Sequence, residues 1–249
     1  MIKALVFDLN GTLINILTNE GDDNVYRVTA NFLSYRGVYL APEVLKNLFF
    51  DLNRSQRRES LEEFPEFDVI RIFEEIISNY ARKPFLPVEK KLLAEMASLV
   101  FRSASRFRLE LYPGVKEVLD KLSEKYILGA VSDGQNAWAY PELCAAGLEK
   151  YFKTVIVSGD YGFRKPDARM YNLALCKLGL KPDEAIFVGN DMFRDVYGAA
   201  TLGLKTVFFK SDQGDHSFHG KEADYIIYNF RELLKAVEFL ENAVSSSNL

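Results

Sequence analysis

Four short polar clusters hold the residue types that nucleophilic and metal-assisted chemistry requires. In chain order they are Asp8 with Asn10-Gly11-Thr12, then Ser132-Asp133-Gly134, then Lys165-Pro166, and last Gly189-Asn190-Asp191 with Asp195. Asp8 ends an apolar run and precedes a Gly-Thr turn, so by itself it could be a turn-forming residue. A carboxylate in this position could also attack a substrate, because a covalent intermediate splits one difficult displacement into two easier ones.

Asp191 and Asp195 lie around the predicted start of a helix, where acidic residues also complement the helix dipole. If Asp8 lies close to both, the three carboxylates repel one another and at least one resists ionisation. A divalent cation removes that conflict, and an all-oxygen set of ligands favours Mg²⁺. Two histidines, His216 and His219, could also bind metal, but their polar surroundings favour a surface loop.

Lys165 and Ser132 have positions that favour phosphate binding. Lys165 precedes Pro166, a residue type favoured at the first position of a helix, which places the lysine near an N-cap where a cation is disfavoured. A lysine that binds a phosphoryl group and offsets nearby carboxylates fits this position better. Ser132 precedes Asp133-Gly134, whose turn chemistry partly explains the cluster. Its hydroxyl and the N–H groups of that turn could also bind phosphoryl oxygens.

The four clusters can lie close together only if the strands that precede them end at the same edge of a sheet. Apolar runs predict strands at 2–8, 127–132, 154–157, 185–188, 205–209 and 225–227. Helices are predicted between them at 114–125, 137–146, 166–178 and 196–202. A closing helix to about 244 and a frayed tail at 245–249 are predicted to follow the last strand. Strands that alternate with helices predict a doubly wound α/β fold with a parallel sheet. All four clusters then lie at the carboxyl ends of the strands, where such sheets bind ligands.

The segment between the first strand and the others has a different pattern. From residue 22 to about 108 the apolar spacing is helical, turn signals recur and no convincing strand is found. We therefore expect a core domain made of 1–14 and 112–249 and a helical insert at 15–111. Arg57 or Arg58 of the insert could close over an anionic substrate, although a solvated helix face is the simpler interpretation.

As an ordered set, the four clusters and the insert resemble the haloacid dehalogenase superfamily. The resemblance covers residues 1–14 and 112–210, and the insert is similar to the cap domain that the family places after its first motif. It implies a Rossmann-like core, a helical cap that shields the site, and a Mg²⁺-dependent, phosphatase-type hydrolase acting on a small phosphate ester.

The resemblance also assigns roles to residues. It implies that Asp8 is the nucleophile that forms an aspartyl-phosphate, and that Mg²⁺ is bound by Asp8, the backbone carbonyl of Asn10 and Asp191, with Asp195 as a direct or water-mediated ligand. Asn190 stands where many relatives carry an acid, which leaves the division of roles among Asn190, Asp191 and Asp195 open. The predicted substrate-binding residues are Gly11, Thr12, Ser132, Asp133, Gly134 and Lys165.

Asn10 departs from the family pattern, in which phosphatases carry a second aspartate two residues after the nucleophile. That acid protonates the leaving group and activates water, and a neutral amide can do neither. General acid–base catalysis contributes about 10²–10⁴-fold to the reaction rate.

Three explanations of Asn10 are compatible with the sequence: substrates with good leaving groups, a catalytically silent relative kept for phosphate binding or regulation, or an introduced substitution. Dehalogenases and phosphonate-cleaving relatives also lack this acid, but the former need no metal and the latter need a cap lysine that the sequence does not reveal.

Composition limits the partners of the chain. Its 249 residues carry a net charge of −4, which disfavours a nucleic-acid-binding surface. The N-terminus starts directly with a predicted strand and no apolar stretch approaches about 18 residues, so we expect no membrane partner and a cytoplasmic location. A small phosphorylated molecule is the expected partner, and the chain is expected to be a monomer or a homodimer.

Overall fold

Strands and helices alternate along much of the chain, of which the computed structural model describes residues 1–218 and 220–246. In chain order the elements are β1 (Ala4–Phe7), β2 (Ile14–Thr18), α1 (Asp23–Tyr35), α2 (Pro42–Glu59), α3 (Val69–Tyr80), α4 (Pro87–Ser105), β3 (Arg106–Leu111), α5 (Val115–Ser123), β4 (Ile127–Ser132), α6 (Asn136–Ala145), β5 (Thr154–Val157), α7 (Ala168–Leu178), β6 (Ala185–Gly189), α8 (Gly198–Thr201), β7 (Lys205–Phe209), β8 (Tyr225–Ile227) and α9 (Leu233–Ser246). A π-helical turn at Met192–Tyr197 precedes α8. None of the helices described is long and apolar enough to cross a bilayer.

A parallel sheet forms the centre of the fold. Within the described residues it has six strands in the order β5-β4-β1-β6-β7-β8. All of β1 is buried, as expected of a parallel strand that is covered on both faces. Leu5 and Phe7 pack into one hydrophobic cluster and Ala4 and Val6 into another, because successive side chains point to opposite faces of the sheet. The predicted α/β fold class is confirmed.

The order of the strands places β1 between β4 and β6. Phe7 is aligned with Ala130 on β4 and with Val188 on β6. Because these three strands are parallel, the residues at their carboxyl ends lie at one edge of the sheet. Asp8 and Ser132, which are far apart in the sequence, are thereby brought to the same edge.

Helices α1 to α4 surround a separate hydrophobic cluster. Its aromatic members include Phe49, Phe73, Phe101 and, from α6, Trp138. Phe101 stacks on Phe49, with 4.4 Å between the ring centroids, and on Trp138, with 6.0 Å. The insert therefore has a core of its own, to which the sheet-bearing part of the chain contributes one large ring.

The expectation that residues 22 to about 108 contain no strand is wrong only at the end of that segment, where β3 begins at Arg106, and the sequence analysis also missed β2 before it. β2 pairs antiparallel with β3, so that Ile14 faces Leu111 and Ile16 faces Leu109. Both strands are short, and they lie at opposite ends of the insert in the sequence. Periodicity within a local window could not reveal such a pairing.

Some predicted boundaries also differ from the structure. Helix α7 begins at Ala168 rather than Pro166, because Asp167 caps the helix by accepting a hydrogen bond from the N–H of Arg169. Lys165 is therefore not an N-cap. Helix α9 continues to Ser246, into the predicted frayed tail, whereas 247–249 lie outside the described residues, as does one of the two loop histidines, His219.

Replacing Phe101 with Ala should lower the free energy of unfolding by about 3–5 kcal/mol, because it leaves a cavity between two stacked rings. Leu99→Ala is the matched control, since this side chain lies on the same helix but is 44% exposed. Urea unfolding followed by the fluorescence of Trp138, the single tryptophan of the chain, measures both changes. Equal effects of the two substitutions would contradict the packing described for Phe101.

Candidate functional site

The backbone at Asp8 is fixed by the sheet and by a tight turn. Its N–H donates to the carbonyl of Val188 at 2.9 Å, next to the pairing of β1 with β6. The chain then turns at Gly11, whose φ of +87° is unfavourable for other residues. A Cβ atom at Gly11 would also lie 2.3 Å from Nδ2 of Asn190. The turn and the close approach of Asn190 both require glycine at this position.

A buried lysine joins two of the predicted carboxylates. Nζ of Lys165 lies 2.7 Å from Oδ1 of Asp8 and 2.7 Å from Oδ1 of Asp195. The side chains of Lys165 and Asp195 are each 2% exposed, and that of Asp8 is 8% exposed. The three groups form a buried ion-pair network in which each charge needs its partners, because a lone buried charge is costly.

The charge state of this network follows from burial and mutual attraction. Burial alone would lower the pKa of Lys165, but the negative charges of Asp195, Asp8 and Asp133 outweigh it and raise this pKa above its ordinary value. Burial raises the pKa of Asp195 to about 6, against the opposing charge of Lys165. At neutral pH the lysine is therefore protonated and Asp195 is largely ionised.

Thr12 connects Asp8 with the last cluster. Its Oγ1 lies 2.9 Å from Oδ2 of Asp8 and 3.0 Å from Oδ1 of Asn190, and these contacts are buried. The side chain of Asn190 is thereby held beside the carboxylate of Asp8. This amide occupies the position at which many relatives carry an acid.

Asp191 has different surroundings. Its Oδ1 accepts hydrogen bonds from the N–H groups of Phe193 and Arg194, which makes Asp191 the N-cap of the π-helical turn. Its Oδ2 accepts from the guanidinium of Arg194 at 2.9 and 2.7 Å and from the N–H of Asp215. Burial would raise the pKa of Asp191, but the hydrogen bonds from Arg194 outweigh it and hold this pKa below its ordinary value. Both carboxylate oxygens are engaged by donors of the chain.

These contacts change the electrostatic argument for a metal ion. Three converging carboxylates would need an external cation, but Lys165 offsets Asp8 and Asp195, and Arg194 offsets Asp191. Within residues 1–218 and 220–246, no group of three or more His, Cys, Asp or Glu side chains is placed to hold a metal. Repulsion among the acids is therefore relieved by cations that belong to the chain.

Oxygen atoms suited to Mg²⁺ are still present around Asp8. They belong to the Asp8 carboxylate, to the backbone carbonyl of Asn10 and to the side-chain amide of Asn190, and hard oxygen donors are the ligands that Mg²⁺ prefers. The chemistry of this donor set fits a magnesium ion. The predicted ligand roles of Asp191 and Asp195 stay predictions, and the division of roles among Asn190, Asp191 and Asp195 stays open.

The second and third clusters are joined by a hydrogen bond between the side chain of Asp133 and the backbone of Lys165. Ser132 is 1% exposed at the end of β4, and its Oγ lies 3.5 Å from the carbonyl oxygen of Asp133, which is the limit of a hydrogen bond. Oδ1 of Asp133 accepts from the N–H of Lys165 at 3.0 Å. The serine hydroxyl is thus only weakly engaged, and its role as a phosphate donor stays a prediction.

The insert is bound to the second cluster by buried polar contacts. The N–H of Gly134 donates to Oγ of Ser158 at 2.8 Å, and Ser158 donates to Oε2 of Glu66 in the insert at 2.8 Å. Nε2 of Gln135 donates to the carbonyl of Phe67 at 2.7 Å. Burial raises the pKa of Glu66, and the bonds from Ser158 and Phe67 oppose this effect. One predicted phosphate donor, the N–H of Gly134, is therefore already engaged.

A cavity of about 270 Å³ lies between this edge of the sheet and the insert, and Asn10 lines it. Arg57 also lines the cavity, whereas Arg58 is exposed and lies outside it. A larger groove of about 850 Å³ shares Gln135 with the cavity, but its insert residues lie between Asp68 and Leu99 and it includes no part of the four clusters. The charged residues that line the smaller cavity are Glu20, Arg57, Glu66, Arg102, Asp133, Glu142, Arg164 and Arg194.

Three residues of the site were missed in the sequence. Arg194 stands three positions after Asp191, a spacing typical of helical ion pairs, and this signal could have identified it. Arg164 directly precedes Lys165 and could have been considered with it. Ser158 gives no such signal, because a serine after a strand is common in turns.

The chain belongs to the haloacid dehalogenase-like hydrolase family. A sequence profile of that family matches residues 40–209. The family and the hydrolase class predicted from the four clusters are therefore confirmed.

Relatives and solved structures agree with this family. A glyceraldehyde 3-phosphate phosphatase of Methanothermobacter thermautotrophicus is 26% identical over 223 residues, which cover 85% of this chain and 87% of that protein. A 5-amino-6-(5-phospho-D-ribitylamino)uracil phosphatase of Escherichia coli strain K12 is 30% identical, with 86% of each chain covered. A 2-haloacid dehalogenase of Pseudomonas syringae has a similar fold, with a TM-score of 0.67 at 21% identity over 96% of this chain and 99% of that one. Both relatives from the first two organisms are named as phosphatases.

Replacing Lys165 with Met should lower the free energy of unfolding by about 3–5 kcal/mol at pH 7, because Asp8 and Asp195 are left buried without their cation. The loss should be smaller at pH 5, because removal of the Lys165 charge raises the pKa of Asp195 above the value of about 6 that it has beside the lysine, and protonation then neutralises a carboxylate that has no partner. Urea titrations at both pH values measure the effect. Lys125→Met, which removes an exposed ion pair, is the control, and a loss no larger than that of the control would disprove the network.

Proposed function

We propose that this chain is a Mg²⁺-dependent phosphatase that hydrolyses a small phosphate monoester through an aspartyl-phosphate at Asp8. The observation that carries the proposal is the buried contact of Asp8 with Lys165 at the carboxyl end of the central strand. The phosphatase names of the two relatives support the same class of reaction.

In the first step a carboxylate oxygen of Asp8 attacks phosphorus, so that an O–P bond forms while the bond to the ester oxygen breaks. Lys165 stays protonated, and its ammonium group holds the carboxylate of Asp8 by a buried ion pair. The same ammonium group offsets the charge of the phosphoryl group during transfer. The Ser132 hydroxyl, which is only weakly engaged, donates to a phosphoryl oxygen.

In the second step water attacks the phosphorus of the aspartyl-phosphate, the bond to Asp8 breaks, and inorganic phosphate leaves. The amide of Asn10 neither protonates the departing alkoxide nor takes a proton from the attacking water. Both protons are therefore exchanged with solvent water. This chemistry favours substrates whose leaving group needs little protonation.

Mg²⁺ would be held by the carboxylate of Asp8, the backbone carbonyl of Asn10 and the side-chain oxygen of Asn190. When bound, the ion supplies positive charge that stabilises the transferred phosphoryl group. Asp191 keeps its predicted role as a ligand and Asp195 its role as a direct or water-mediated one, and Arg194 and Lys165 pair with these two carboxylates.

The helical insert at 15–111 is proposed to act as a cap over a core domain made of 1–14 and 112–249. It contributes Arg57 and Glu66 to the cavity, and its contact with Ser158 joins it to the second cluster. A cap in this position limits the access of water to the reacting groups. The monomeric or homodimeric state and the cytoplasmic location stay predictions.

The chain should release phosphate from p-nitrophenyl phosphate in the presence of Mg²⁺, and Asn10→Asp should raise kcat by about 10²–10⁴-fold, because it restores a general acid and base. The gain should be larger for an alkyl phosphate such as glycerol 3-phosphate, whose leaving group needs protonation. Asp8→Asn, which removes the nucleophile with little change in shape, is the control and should show no activity. Initial rates of phosphate release measure all three proteins.

If neither the chain nor its Asn10→Asp variant releases phosphate from any phosphate ester tested, the phosphatase proposal fails. The binding of inorganic phosphate without turnover would then support a silent binding protein. Release of halide from a 2-haloacid would instead support a dehalogenase.

A further inference from the structure

The arginines of the cavity differ in whether a carboxylate engages them. Arg102 lies 2.6 Å from Glu142 and 3.3 Å from Glu20. Arg57 lies 3.2 Å from Glu66. The positive charges of these two guanidinium groups are therefore offset within the wall of the cavity, and a ligand would have to compete with their present partners.

Arg164 has no such partner. Among residues 1–218 and 220–246, its side chain makes no hydrogen bond, ion pair or ring contact, although the residue is half-buried and lines the cavity. Its backbone is held firmly, since its N–H donates to the carbonyl of Phe64 at 2.9 Å and its carbonyl accepts from Asp167 at 3.1 Å. Arg194, the remaining arginine of the lining, is engaged by Asp191. Arg164 thus differs from the other three arginines of the cavity.

In the described part of the chain, none of the four acidic residues that line the cavity forms an ion pair with Arg164; Glu142 is paired with Arg102, and Asp133 lies 3.7 Å from Arg194. Burial raises the pKa of Glu20 and of Glu66, so both carry negative charge less readily than an exposed glutamate. Both also lie within ion-pair distance of other arginines. A half-buried guanidinium without a counter-charge is unfavourable, and an anion that enters the cavity would remove this cost.

We propose that Arg164 binds a second negatively charged group of the substrate, a carboxylate or a further phosphoryl group, while Asp8 reacts with the scissile phosphate. The inference rests on the proposed phosphatase function and narrows its substrates to phosphate monoesters that carry another anionic group. The fork of a guanidinium group matches such groups with two parallel hydrogen bonds. Because Arg164 and Lys165 are consecutive, the two cations are positioned by the same stretch of backbone.

The test compares two three-carbon phosphates that differ at one end, 3-phosphoglycerate with a carboxylate and glycerol 3-phosphate with a neutral hydroxymethyl group. Each is used as a competitor of p-nitrophenyl phosphate hydrolysis, so that its inhibition constant is obtained whether or not it is itself hydrolysed. The proteins are the unmodified chain, Arg164→Gln, Arg164→Lys and, as a matched control, Arg58→Gln. Arg58 is also an arginine without a described partner, but it is exposed and lies outside the cavity.

The unmodified chain should bind 3-phosphoglycerate about 10-fold to 100-fold more tightly than glycerol 3-phosphate, as expected for charge-assisted hydrogen bonds. Arg164→Gln should remove most of this preference, Arg164→Lys should retain part of it, and Arg58→Gln should retain all of it. Equal inhibition by the two compounds in the unmodified chain, or an unchanged preference in Arg164→Gln, would overturn the inference.

Failure of the proposed function would be distinguishable from failure of this inference. If p-nitrophenyl phosphate is not hydrolysed, the phosphatase proposal loses its support, and calorimetric titration of the same two compounds into the same four proteins replaces the kinetic assay. A preference for 3-phosphoglycerate that depends on Arg164 would then still support the anion site. Binding of both compounds with equal affinity, or of neither, would reject it.

Discussion

Asp8 and Asp195 share the ammonium group of Lys165, and this buried contact connects three of the four polar clusters. None of the three side chains is more than 8% exposed, so each charge depends on the others for stabilisation. Oδ2 of Asp195 also accepts hydrogen bonds from the N–H groups of Asn190 and Asp191, which fixes the turn after β6. The ion-pair network therefore fixes both the position of the Asp8 side chain and the path of the backbone around it.

Close packing around this network restricts the residue types that can occupy neighbouring positions. A Cβ atom at Gly189 would lie 2.3 Å from Cβ of Asp195, and one at Gly11 would lie 2.3 Å from the amide of Asn190. The contact at Gly11 arises because β1 is paired with β6, which brings the ends of two distant strands together, whereas the contact at Gly189 lies within the turn after β6. Larger side chains at these glycines would force apart the groups that the reaction needs.

Amides at positions 10 and 190 give the site fewer negative charges than the family pattern has. Lys165 and Arg194 offset part of the charge of the remaining carboxylates. In the proposed mechanism the nucleophile and its lysine are retained, whereas the general acid and base are not. This combination would suit the transfer of a phosphoryl group from a good leaving group, and Asn10 would limit the rate for a poor one.

The sequence by itself determined the parallel core, the strands that carry the clusters and the gathering of Asp8 and Lys165 at one edge, because apolar runs and the residues that end them are local signals. The tertiary structure alone decided that Asp8 and Asp195 share Lys165, that β2 pairs with β3 across the insert, and that Arg164 lacks a partner among the described residues. These features depend on the directions of side chains and on contacts between residues distant in the chain. Periodicity and spacing describe each segment separately, so they do not show which charged side chains form ion pairs across the fold.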